Sequence, residues 1–298
     1  MANLKDIRRR IKSVNNTAQI TKAMQMVAAA KMKKAQDQAL AGREYADKLN
    51  LVLTNLKANM EGLAHPYLEV REEGKHLVLV ISTDKGLCGG INTNLLKKVR
   101  AEVTGNADYS TVGKKLRDQI TKAGETIVKD FTIEDPILFD EIKPITKHLT
   151  EKFISGDYNK VSVCFTNFVS TMVQEPHVSQ LLPIDPSKLA EKRDYEGVGK
   201  GEITETNVEA ALEKEYTFEP NPNAVLSALL PQYIGFQIYQ MIVEARASEH
   251  SARMVAMKSA TDNANELAKD LKLEYNKLRQ AAITAELLEI TTAMKALE

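Results

Sequence analysis

Cysteine, tryptophan and long apolar runs are scarce or absent in this chain of 298 residues. It has two cysteines, Cys88 and Cys164, and no CxxC pair. That excludes a disulfide framework and suits a reducing compartment. It has no tryptophan, and only 5% of its residues are aromatic. No stretch approaches the roughly 18 apolar residues of a membrane span. The opening MANLKDIRRRI has no apolar signal region, which predicts a soluble or peripheral protein. Net charge is also lacking, because 40 Lys and Arg match 40 Asp and Glu. Total charge therefore points to no partner.

Glycine and proline are missing from the two ends. All nine prolines lie between Pro66 and Pro231, and every glycine but Gly42 lies between Gly62 and Gly235. The ends are thus free to be long helices. At the N-terminus, Leu4, Ile7, Ile11, Val14, Ala18, Thr21 and Gln25 alternate at three and four, a coiled-coil seam that decays at Gln25. About 58 residues of helix would span roughly 85 Å. Near the C-terminus, Ile234, Ile238, Met241, Ala245, Ser248, Ala252, Val255 and Ser259 repeat the pattern. Ala264, Leu267, Leu271, Leu278, Ala281, Ala285 and Leu288 continue it, with Glu274 breaking the run. Two such helices at opposite ends of one chain most simply pair antiparallel.

The predicted organisation is a helix over 1–62, an α/β domain over 66–220 and a second helix over 221–298. The middle alternates apolar strand-like runs (75–83, 109–113, 125–132, 160–168, 177–184) with helix-like ones (92–103, 114–123, 138–154). This predicts a small, mostly parallel, Rossmann-like sheet covered by helices. The polar stretch 186–215 reads as a mobile loop.

Candidate chemistry is thin. In STDKGLCGGINTN (82–94) a strand runs through a glycine-rich turn into a helix, a place that can cradle phosphate. It matches neither GxGxxG nor GxxxxGK[ST]. A tight turn needing glycine dihedrals is the favoured reading, and a nucleotide-binding enzyme using Gly86, Gly89 and Gly90 is the rival. No histidine stands three or four residues from another, and no cysteine is near one, so metal-site spacing is absent. His250 reads as a solvent or interface residue, and Cys88 as a small buried one. The first 35 residues carry nine Lys or Arg against Asp6 alone. The absence of any aromatic before Tyr45 speaks against nucleic acid and against an anionic membrane, which leaves a solvated basic face or an acidic protein partner.

Five stretches carry a resemblance over almost the whole chain: IRRRIKSVNNTAQITKAMQMVAAAKM (7–32), DKGLCGGINTN (84–94), FVSTMVQEP (168–176), SEHSARMVAMKSATDNA (248–264) and YNKLRQAAITAELLEI (275–290). They resemble the gamma subunits of F-type ATP synthases. The resemblance implies a non-catalytic rotor without cofactor or metal. Its terminal helices would form a thin axle inside an alpha–beta hexamer in a 3:3:1 complex. Small residues (Ala18, Ala28 to Ala30, Ala252, Ala256, Ser259, Ala260) would allow their close approach. By the same resemblance, Arg279, Gln280 and Thr284 contact a beta-subunit loop, and Lys22 and Met24 lie near the acidic hinge loop of beta. Phe218, Glu219, Asn221 and Asn223 form the foot that faces the membrane c-ring, with the epsilon subunit beside it. The family implies a place on the cytoplasmic face of a cell membrane, and the missing presequence favours a bacterial source. The ending EITTAMKALE departs from the family's usual Gly-Ala, and 186–215 lacks the cysteines of chloroplast relatives.

Overall fold

A computed structural model describes residues 4–57, 65–103, 105–185, 219 and 221–297. Helix α1 runs over Leu4–Lys57. Strand β1 (Lys75–Ile81), helix α2 (Ile91–Glu102), strand β2 (Ala107–Val112), helix α3 (Lys114–Lys122), strand β3 (Ile127–Phe131) and helix α4 (Phe139–Ile154) follow. Strands β4 (Tyr158–Phe168) and β5 (Gln174–Leu182) come next, and helix α5 (Pro222–Leu297) closes the chain. The loop expected at 186–215 lies outside the described residues.

The strands form one sheet in the order β3-β2-β1-β4-β5. All neighbours are parallel except β4 and β5, which run antiparallel. Pro176 sits in β5, at the sheet edge, where a missing N–H is tolerated. Strand alternation sends Leu77, Leu79 and Ile81 to one core and Val78 and Val80 to the other. The second core is closed by Leu95 and Val99 of α2 and by Leu116 and Ile120 of α3. The first is closed by Ile142, Ile145, Leu149 and Phe153 of α4, together with parts of α1 and α5. Gly113 starts α3 at φ +94°, and a Cβ there would meet the Ser82 carbonyl oxygen at 2.3 Å. Only glycine fits that turn.

The chain divides into two compact units. The sheet unit is Ala29–Ala252, so it takes in long pieces of both terminal helices as well as the 66–220 segment. The helix-pair unit joins the first 28 residues to Arg253–Glu298. In the helix-pair unit, the hydroxyls of Thr21 and Thr261 meet at 2.7 Å, both buried. Antiparallel pairing outward from this contact sets Ala18 level with Ala264, Ile11 with Leu271 and Leu4 with Leu278. Burial on α5 follows that register at Met257, Thr261, Ala264, Ala268 and Leu271.

Two seam details differ from the sequence reading. The α1 stripe does not stop at Gln25. Ala28, Ala35, Ala39, Ala46, Leu49 and Leu53 are all buried at the same three–four spacing. Small residues there score weakly as hydrophobes yet fill a close approach. On α5 the inward residues are Thr261, Ala268 and the half-buried Tyr275, not Ser259, Leu267 and Glu274. Leu267 is 42% exposed. The apolar pattern favours a leucine over the neighbouring alanine, but the narrow gap between the helices takes the alanine.

Candidate functional site

In an open α/β sheet a ligand crevice lies beyond the strand C-termini, where the strand order reverses. Here that point falls between β1 and β4. Its lining includes Ser82, Thr83, Asn92 and Thr166, and also Arg246 and Glu249, so α5 forms one wall of the crevice. The polar groups are already engaged. Asn92 Nδ2 donates to Thr83 Oγ1 at 2.8 Å, and the Thr83 N–H donates to Asn92 Oδ1 at 3.3 Å. At the start of α3, the N–H groups of Lys114, Lys115 and Leu116 donate to Asp84 Oδ1, the Thr83 carbonyl and Ser82 Oγ. Of the three glycines in the turn, Gly89 is left-handed at φ +63°, and the non-glycine Leu87 shares that conformation. The turn is a structural joint flanked by α5. Among the described residues, no group of three or more His, Cys, Asp or Glu could hold a metal ion.

Beside it lies an ionic cluster in which Arg246, Glu249 and His250 are buried and Asp84, Asp135 and Lys31 are partly exposed. Arg246 Nη1 donates to Glu249 Oε2 at 2.9 Å, and Nη2 donates to the Ile133 carbonyl at 3.0 Å and to Asp84 Oδ2 at 3.3 Å. Its Nε stands 3.8 Å from Asp135 Oδ1. His250 Nε2 lies 3.4 Å from Asp135 Oδ2, and Lys31 of α1 lies 3.2 Å from that same oxygen. The Asp135 carboxyl is held well below the usual range. The His250 hydrogen bond contributes most, and with Arg246 and Lys31 it outweighs the burial that acts the other way. His250 is therefore neither a solvent residue nor exposed: it is 5% accessible. Sequence reading missed Arg246 altogether. Its signal was an Arg and a Glu three apart on a helix turn that is otherwise small and apolar.

The opposite side of this turn is tied by hydroxyls. Ser248 Oγ donates to the Thr166 carbonyl at 3.0 Å and Ser251 Oγ to the Thr171 carbonyl at 2.8 Å, with both serines fully buried. These small residues dock α5 on β4 and on the turn after it. Cys164 is also buried, and its thiol is pushed up to about 12 mainly by that burial, which leaves it a packing group. Cys88 is buried beside Thr83 and Asn92.

The residues singled out by sequence are scattered. Lys22 is exposed and reaches Gln25 Oε1 at 3.4 Å, and Met24 is half-buried. Arg279, Gln280 and Thr284 are exposed on α5, with Thr284 Oγ1 donating to the Gln280 carbonyl at 2.9 Å. Glu219 and Asn221 are exposed, and Asn221 Oδ1 accepts the Ala224 N–H at 2.8 Å, capping α5. Asn223 belongs to the first turn of α5, and Phe218 lies outside the described residues. Ile283, Leu287, Ile290 and Met294 are exposed at four–three–four spacing. In the register set by Thr21 and Thr261, no described residue of α1 stands level with them.

A family model described as ATP synthase matches residues 3–297. The ATP synthase gamma chain of Akkermansia muciniphila is 47% identical over 299 aligned positions, covering 100% of both chains. That of Opitutus terrae is 46% identical over 293, covering 98% of each. The chain belongs to the ATP synthase gamma-chain family. Members are the central-stalk subunits of F-type ATP synthases. Solved structures carry the same fold. A rotor chain of the Euglena gracilis mitochondrial ATP synthase superposes with a TM-score of 0.66 at 18% identity, covering 94% of this chain and 98% of that one. A chain of the Tetrahymena thermophila central stalk and c-ring gives 0.57 at 21%, covering 81% and 99%. Family membership disfavours the nucleotide-binding enzyme. Among the described residues, no helix is long and apolar enough to cross a membrane.

Proposed function

We propose that this chain is the non-catalytic rotor of its complex. It would turn inside an alpha–beta hexamer of 3:3:1 stoichiometry and pass torque from a membrane c-ring. The observation that carries this is the exposed apolar stripe on α5, Ile283, Leu287, Ile290 and Met294, on a helix end with no described α1 residue opposite. In water such a stripe is costly, and a surrounding sleeve of subunits would cover it. The basic face of α1 supports an acidic partner beside Lys22 and Met24. Arg279 and Gln280, exposed just before the stripe, and Thr284, exposed beside its first residue, are assigned to a beta-subunit loop. Glu219, Asn221 and Asn223, with Phe218, are assigned to the c-ring-facing foot, with epsilon alongside. The related Euglena assembly is described as OSCP, F1 and c-ring in a rotational state. A complex of this kind would place the chain on the cytoplasmic face of a bacterial membrane.

The mechanism is differential contact. An asymmetric rod touches three identical catalytic sites differently, and each contact populates the conformation it favours. Turning the rod passes that preference around the ring. The test is reconstitution with alpha and beta subunits. The chain alone should lack ATPase activity, and the complex should gain turnover that deletion of 275–298 removes. ATP hydrolysis by the isolated chain would overturn the reading.

A further inference from the structure

A rotor needs a joint where its axle is fixed to the part that grips the ring. Apolar packing alone makes a poor one, because it resists separation but has no preferred angle. Hydrogen bonds and ion pairs are directional and resist twist. We propose that residues 246–251 of α5 form that joint, with Arg246 and Asp135 as its positioning residues. The inference rests on the rotor reading.

The geometry is that of a collar. At about 100° per residue, Arg246, Glu249 and His250 share one side of α5, and Ser248 and Ser251 share the opposite side. The first side is bonded to Asp84 after β1 and to Ile133 and Asp135 after β3. The second is bonded to the carbonyls of Thr166 and Thr171. Rotation of α5 about its own axis would break both sets together. Asp135 also holds Lys31, so α1 is tied into the same collar. The sheet unit begins at Ala29 on α1 and ends at Ala252 on α5. The collar therefore sits where both helices reach its limits.

Replacing a whole buried ion pair by apolar groups is often neutral, whereas removing one partner strands the other charge. A cluster at this position is better explained by the angle it sets than by the energy it supplies. Leucine in place of both Arg246 and Glu249, a buried pair 2.9 Å apart, should fill the space while releasing the angle.

The experiment uses the complete complex in sealed vesicles, with R246L/E249L and, separately, the double variant S248A/S251A. ATP hydrolysis and ATP-driven ion pumping are recorded together, the latter with a membrane-potential dye. Hydrolysis should stay within about twofold while pumping per ATP falls at least about threefold, since replacing both members of a buried pair changes geometry more than stability. Unchanged pumping per ATP in both variants overturns the proposal, as does a parallel loss of both activities with a lowered Tm. If R246L/E249L does not assemble, the double serine variant decides. A wild-type chain that fails to stimulate alpha and beta would sink the rotor reading itself.

Discussion

Helix α5 passes through two environments, and its residues follow two sets of rules. Over 234–251 nearly every position is buried, whatever its polarity. From Lys258 onward only every third or fourth is, through Thr261, Ala264, Ala268 and Leu271. In the sheet unit the helix is surrounded, so its polar side chains must find partners inside. In the helix-pair unit it has one neighbour, so one stripe suffices and the remaining faces stay free. Beyond Ala282 it has none among the described residues, and leucines and isoleucines stand in the open. One continuous helix thus reads as core, seam and unpaired rod in turn, according to how many neighbours it has.

The contrast can be broken most sharply by equal truncations in the two regions. Phe153→Ala in the α4 core, at a side chain with no exposure, should cost ~3–5 kcal/mol of unfolding free energy in urea. Leu288→Ala on the exposed end, at 60% exposure, should stay within about 0.5 kcal/mol. Equal losses would mean that the end of α5 is packed after all. Gly113→Ala should cost about 2 kcal/mol or more, since the Ser82 carbonyl must move and the φ is left-handed. A neutral result in the same melts would contradict the turn geometry.

The seam itself is tested at Thr21 and Thr261. Each hydroxyl also reaches a carbonyl of its own helix, Thr17 for Thr21 and Met257 for Thr261. One hydroxyl can therefore donate across the seam while the other donates along its helix. A double-mutant cycle with valine should give ~0.5–1.5 kcal/mol of coupling. No coupling would mean the register is misplaced.

A further effect is expected from pH. His76 is pushed down to about 4, by burial and then by Lys160, and its Nε2 lies 2.9 Å from Ser162 Oγ. The native state keeps it neutral, whereas the unfolded chain takes up a proton below about 6.5. Stability is therefore fully present above that pH and declines as pH falls toward 4. Asp135, also held low, adds a loss that begins only nearer the ordinary carboxylate range. Mild acid should lower Tm by a few degrees, and His76→Gln should flatten the upper part of that slope. An unchanged slope would remove His76 from the account.

Much of this could be read in advance. The gaps in glycine and proline marked the terminal helices, and the apolar runs marked each strand within a few residues. The βαβ alternation implied the parallel sheet. The site was less legible. Leu267 looked like a seam residue and Ala268 did not, because hydrophobicity ranks side chains without knowing the width of the gap they fill. His250 read as either a solvent or an interface residue because nothing in its own stretch announces Asp135, more than a hundred positions away. Arg246 drew no attention for the same reason. Local pattern by itself determined which segments are helix or strand and which way most of them face, since both follow from periods of 3.6 and 2. Tertiary structure alone decided how many neighbours each face meets. That number settles whether a small residue is a seam, a serine a dock, or an arginine the centre of a buried joint.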